Sequence, residues 1–106
     1  ARRLLNLSDP PTAIFAANDQ SAIGAIRAIH QVGLRIPNDI SLVGFDNIPE
    51  AAYTHPSLTT VDQSISKMGY VATEMLIDLI QGESLDGHLY KMSTRLIVRD
   101  SCRAIV

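Results

Sequence analysis

The sequence predicts an α/β domain built on a mainly parallel sheet, and three observations point there. Thr12–Ala17 and Ile40–Phe45 are short apolar runs without alternation, the pattern of strands covered on both faces. Between them lies a stretch of helical spacing, which completes a strand-helix-strand unit. A β-branched run and a second helical stretch follow, so the two kinds of element alternate along the chain.

The first residues, 1–7, read as the last turns of a helix, which Ser8-Asp9-Pro10-Pro11 ends because proline restricts both itself and its predecessor. The first strand then runs to Asn18-Asp19. From Asp19, a good N-cap type, apolar residues recur as Ile23, Ile26, Ile29 and as Ala22, Ala25, Ala28, and Gly33 offers a left-handed stop. One stripe is expected to cover the sheet and the other to seek a neighbour, which suggests an interface. Residues 34–39 form a loop, and the second strand reaches Asp46-Asn47-Ile48-Pro49, where the Asx pair and the proline stop it. A short helical or irregular stretch over 50–57 precedes a third strand, Leu58–Val61. Ser64 is the expected cap of a helix over 64–82, whose positions Ile65, Met68, Ala72, Met75, Leu76 and Leu79 keep helical spacing. One or two final strands are expected within His88–Arg99.

At 106 residues the chain has room for one compact domain, and such a size buries a modest share of its surface, so a partner surface is expected to be missing. Because Ala1 stands where an initiator methionine would, the chain reads as a fragment. The composition, 46% hydrophobic and 19% charged, fits a folded domain rather than a disordered one. A net charge of -2, with both signs interspersed, lacks the basic footprint that neutralising a phosphate backbone requires, so DNA binding by this segment alone is not expected. The single Cys102 excludes an intrachain disulfide and agrees with a reducing, cytoplasmic setting. No run is apolar for long enough to span a bilayer, so no membrane partner is expected.

In an open parallel sheet, ligands gather at the carboxyl ends of the strands, where loops present backbone N–H groups and side chains. Two strands here end in polar pairs. Asn18 and Asp46 would project into one crevice if their strands are neighbours, and an amide beside a carboxylate suits the hydroxyls of a neutral polyol. Phe45 could pack on the apolar face of a sugar. The same residues also read simply as a helix cap and a turn. Other features carry less chemistry. Ser64-Ile65-Ser66-Lys67 fits S-x-x-K, but neither S-D-N nor K-T-G follows. Asn6-Leu7-Ser8 fits a glycosylation triplet that chance often supplies. His30, His55 and His88 have no metal-ligand spacing with each other or with Cys102, and the glycines make no phosphate-binding fingerprint, so neither a metal nor a nucleotide cofactor is expected. Met68, Met75 and Met92 read as gap-fillers.

Three stretches in order, PTAIFAANDQSAIG from Pro11, GLRIPNDISLVGFD from Gly33 and LTTVDQ from Leu58, together resemble the LacI/GalR regulators. The resemblance continues through Met68-Gly69 and closes on Leu96–Ser101. It implies the C-terminal portion of a three-layer αβα, type I periplasmic-binding-protein-like fold, which in such regulators senses a small molecule and dimerises. It assigns ligand contacts to Asn18, Asp46, Phe45 and Gln63, Gln63 also marking the crossover into an N-terminal subdomain. Residues 64–82 would then belong with that subdomain. The dimer contact falls on the helix after Asp19 and the loop after Asp46, which designates Ala22, Ile26 and Tyr53. Operator DNA would be reached only through an N-terminal helix-turn-helix outside this chain. Where many members read F-D-D, Phe45-Asp46-Asn47 removes a charge beside the ligand aspartate. A ligand-gated regulator is thus expected, with a periplasmic sugar-binding transport receptor of the same fold as the alternative. An enzyme is not expected, because no nucleophile-base pair, metal cluster or cofactor loop accompanies Asp19 or Asp46.

Overall fold

A computed structural model describes residues 1–84, 87 and 89–105, so the expected strand onset at His88 lies outside the described residues. Helix α1 spans Arg2–Leu5, strand β1 Ala13–Phe15, helix α2 Asp19–Gln31, strand β2 Ser41–Val43, strand β3 Thr60–Asp62, helix α3 Ile65–Ile80 and strand β4 Arg95–Ile97. A single 3-10 turn over Pro49–Ala52 occupies the irregular stretch. Strands β1 and β2 run parallel with Ile14 opposite Leu42. Parallel bridges Val43–Thr59 and Asp46–Asp62 bring β3 beside β2, and β4 closes the far side antiparallel to β3 with Val61 opposite Leu96. The order β1-β2-β3-β4 is the expected α/β sheet, parallel except at its last strand.

Ser101 explains why β2 and β3 meet only at isolated bridges. Its carbonyl accepts from Leu42 N–H at 2.8 Å, its hydroxyl donates to the Leu42 carbonyl, and the same hydroxyl accepts from Thr59 N–H at 2.8 Å. The fully buried serine thus stands in for a missing rung between the strands. Ser101→Ala is expected to cost about 1–3 kcal/mol, since it strands the Thr59 N–H and leaves the Leu42 carbonyl only the weak Cys102 thiol donor, and urea unfolding would read the loss.

The core gathers Ala22, Ala25, Ile26 and Ile29 of α2 against Ile36, Ile40, Leu42, Ala51 and Leu58. Here one expectation fails. Both apolar stripes of α2 turn inward, and Ala22, designated for a dimer contact, is fully buried while Ile26 keeps only 8% of its surface. The alanines are small enough to let the helix settle close to the sheet, and α1 shields its flank through an Arg2–Gln31 hydrogen bond of 2.8 Å. What remains outside is half-buried Ile23, the rim of Ile26 and exposed Tyr53.

Helix α3 behaves oppositely. None of its residues is buried, and Ile65, Met68, Leu76, Ile77, Leu79 and Ile80 are exposed. Each such side chain forgoes about 1.5–3 kcal/mol of burial, so the face calls for cover from another element. The molecule is elongated accordingly, 58 × 26 × 24 Å. Nor does Ser64 cap α3 as expected: its backbone is left-handed (φ 52°), its hydroxyl makes no capping bond, and its N–H donates instead to Asp62 Oδ1 at 2.7 Å. A one-residue reversal between β3 and α3 leaves no room for the extended cap conformation.

Candidate functional site

The parallel register brings the carboxyl ends of β1, β2 and β3 together, and each is followed by one of the predicted ligand residues: Asn18, Asp46 and Gln63. Asn18 does cap α2, accepting from Ser21 N–H at 2.8 Å. That bond engages Oδ1 alone, so the Nδ2 donor of the same amide is not committed to it. Asp46 and Gln63 touch directly, the Gln63 Nε2 donating to Asp46 Oδ1 in a short hydrogen bond. Phe45 is half-buried, and its carbonyl accepts from Asp19 N–H at 2.8 Å, which ties the ends of β1 and β2 side by side.

The loop carrying Asp46 is strained. Asp46 (φ 118°) and Asn47 (φ 55°) both lie in the left-handed half of backbone space, each at about 1–3 kcal/mol, and such a pair persists only when its surroundings over-determine it. They do so here. Asp46 N–H donates to the Val61 carbonyl at 2.9 Å, and Asn47 N–H to Thr60 Oγ1 at 3.3 Å. The Asn47 amide donates to Asp62 Oδ2 at 3.4 Å while its oxygen accepts from Arg99 Nη2 at 2.9 Å. Arg99 also holds the Leu58 carbonyl at 2.9 Å. The residue that departs from F-D-D is therefore a donor that an aspartate could not replace, since a second carboxylate would face Asp62. The Ser64 N–H, then the Asn47 amide and Arg95, hold the Asp62 carboxyl below its usual range against its desolvation. Its contribution to stability is present above the ordinary carboxylate pKa and is lost as pH falls through the lowered one.

Beneath the loop sits a group the sequence reading took for a cap. Asp19 is fully buried; Oδ1 accepts from Thr60 Oγ1 at 2.6 Å and Oδ2 from Ile48 N–H at 2.9 Å. One carboxylate thereby joins the start of α2, β3 and the loop after Asp46. The cap itself is Asn18, one residue earlier. The only sequence signal for Asp19 was an acid in the first helical turn, which surface helices share.

An open cleft of about 490 Å³ runs between this loop and the start of α3, lined by Asp46, Asn47, Asp62, Ser64, Ile65 and Lys67 among others. A larger hollow of about 700 Å³ lies at the C-terminal end of α2, lined by His30, Tyr53 and His55 but by none of the predicted ligand residues. The smaller cleft borders the candidate ligand site: Asp46 and the strained backbone line it, whereas Asn18, Phe45 and Gln63 are not among its lining residues. Its lining offers the Asp46 and Asp62 carboxylates, the Asn47 amide and the Lys67 amine, acceptors and donors suited to hydroxyl or amide groups of a small polar ligand. Among the described residues, no three His, Cys, Asp or Glu side chains cluster as a metal site would require.

A sequence profile described as a periplasmic binding protein-like domain matches residues 1–102. The chain is 40% identical over 105 residues to the HTH-type transcriptional repressor PurR of Vibrio vulnificus, covering 99% of this chain and 31% of that protein. It is 43% identical over 102 residues to the ribose operon repressor of Halalkalibacterium halodurans, covering 96% and 31%. Among solved structures, the lac repressor dimer bound to operator and the anti-inducer ONPF superposes with a TM-score of 0.87 at 37% identity, over 97% of this chain and 36% of that one. The chain thus spans about a third of the length of the relatives it matches, and those relatives are named as repressors rather than enzymes.

Proposed function

The chain belongs to the periplasmic binding protein-like domain family, in the form that LacI-type transcription regulators carry, and from that premise we propose that it is the C-terminal part of an effector-sensing and dimerisation module. The effector is a sugar or a related small polar molecule, bound at the ends of β1, β2 and β3. The observation that carries this is the convergence of Asn18, Asp46 and Gln63 on one edge, with Asp46 and Gln63 already in contact. In the intact protein a second subdomain covers the exposed face of α3 and closes the cleft. Gln63 then sits on the crossover, so that occupancy biases the two subdomains' orientation and, through a helix-turn-helix outside these residues, operator affinity. Dimerisation uses the surface formed by α2 and the 53–57 loop, as supported by the dimeric lac repressor's likeness to this chain. The setting is cytoplasmic; among the described residues no helix is long and apolar enough to cross a membrane.

Calorimetric titration of the intact protein with a panel of neutral pentoses, hexoses and nucleosides tests the reading. Asp46→Ala is expected to weaken the binding compound at least about a hundredfold, the scale set by a charged acceptor lost to hydroxyl donors, and to leave the dimer intact. A variant that titrates like the parent removes Asp46 from the site.

A further inference from the structure

The backbone pair Asp46–Asn47, with both φ angles positive, is held by a side chain that enters from far along the sequence. Arg99 follows β4, and its N–H donates to Thr59 Oγ1 at 3.0 Å, which anchors it beside β3. Its guanidinium then forks. Nη1 donates to the Leu58 carbonyl at 2.9 Å, and Nη2 donates to Asn47 Oδ1, 52 residues away, also at 2.9 Å. On its other side the Asn47 amide donates to Asp62 Oδ2 at 3.4 Å. The carboxamide therefore lies between a cation and an anion, and one orientation satisfies both: oxygen toward Arg99, nitrogen toward Asp62. We infer that Arg99 is a positioning residue for the effector: by fixing the Asn47 side chain it holds Asp46 in the backbone conformation that presents the ligand carboxylate. The inference rests on the ligand-site reading of Asp46 above.

Arg99 is not among the residues lining the cleft beside Asp46, whereas Asn47 and Asp62 are. It acts on binding at one remove, which makes it a cleaner probe of positioning than Asn47. Two successive non-glycine residues in the left-handed half of backbone space are strained, so the pair depends on its tethers. The backbone tethers, Asp46 N–H to the Val61 carbonyl and Asn47 N–H to Thr60 Oγ1, reach only β3. Arg99 adds the tether from β4. Without its guanidinium the Asn47 oxygen loses its donor, and nothing opposes rotation of the amide away from Asp62. Gln63 grips the Asp46 carboxylate itself, so the work is divided: Gln63 orients the side chain, and Arg99 secures the backbone that carries it.

Calorimetry of the intact protein with D-ribose, D-glucose and adenosine, one from each class of the panel above, tests this at a temperature where every variant is folded. Arg99→Met is expected to weaken the probe that binds by about tenfold, the scale of one hydrogen bond to a charged group. In an Asn47→Ala background the same change should add no further loss, because the group through which Arg99 acts is gone. An arginine that merely stabilised the domain would have the same effect in both backgrounds. Ser101→Ala, destabilised close by through bonds to Leu42 and Thr59, is expected to bind like the parent. Hydrogen exchange of segment 45–49 supplies a check without ligand, and Arg99→Met should exchange there at least about tenfold faster. An Arg99→Met variant that binds like the parent, equal losses in both backgrounds, unchanged exchange, or a Ser101→Ala variant as weak as Arg99→Met overturns the positioning role, and binding lost in Asp46→Ala then leaves the site itself standing. An Asp46→Ala variant that binds like the parent, or a parent that binds none of the three probes, overturns the site reading and this inference with it.

Discussion

Asp19→Ala is expected to lower the domain's stability by about 3–5 kcal/mol, the largest loss from any single substitution considered. The carboxylate is completely buried, and two groups depend on it: the Thr60 hydroxyl and the Ile48 N–H. Each would be left as an orphaned donor at about 1–3 kcal/mol, with a small cavity beside them. Against a total stability of about 5–15 kcal/mol, that is enough to unfold a marginal domain. Urea unfolding of the intact protein, followed by circular dichroism, would measure it. A loss below about 1 kcal/mol would mean that water replaces the carboxylate, and the account of Asp19 as the tie between α2, β3 and the ligand loop would fail. Thr60→Val removes one donor while keeping its shape, and is expected to cost about half as much.

Gly44→Ala is the second. A Cβ built there would lie 2.1 Å from Asp19 Oδ1 and 2.9 Å from Leu58 Cδ2, closer than packed atoms approach. Neither neighbour is free to move: Leu58 is fully buried in the core, and Asp19 is held by its two hydrogen bonds. Overpacking of this kind costs about 1–3 kcal/mol, and here the upper part of that range is expected because relief would break the Asp19 bonds. A double-mutant cycle reads the coupling: in an Asp19→Ala background the added methyl should cost far less. Strictly additive losses would show that the clash is borne by Leu58 alone. The glycine is required by its close approach to a carboxylate, and its backbone lies outside the left-handed region.

The sequence by itself determined the elements and their kind. Unbroken apolar runs marked β1 and β2, helical spacing marked α2 and α3, and the polar pairs after two strands marked the edge where Asn18 and Asp46 lie, while Gln63 entered only through the family resemblance. These signals are local, set by the period with which side chains return to one face of an element, and a linear reading recovers them. That α3 would stand apart was implied by the family resemblance, which assigns residues 64–82 to another subdomain, and not by local pattern; its apolar residues are exposed. Tertiary structure decided which polar residues are structural and which are free for a ligand. Asn18 and Asp19 are adjacent and chemically alike, yet one caps the helix and the other is sealed beneath the ligand loop by Thr60, 41 residues away. Ser101 fills a gap between β2 and β3 that exists only once both are in place. Ala22 lies in the core instead of on an interface because the helix sits close to the sheet, and Asn47 gains its meaning from Asp62 and Arg99. A buried polar group is defined by partners distant in sequence, and the requirement that each be satisfied can be evaluated only after the chain has folded.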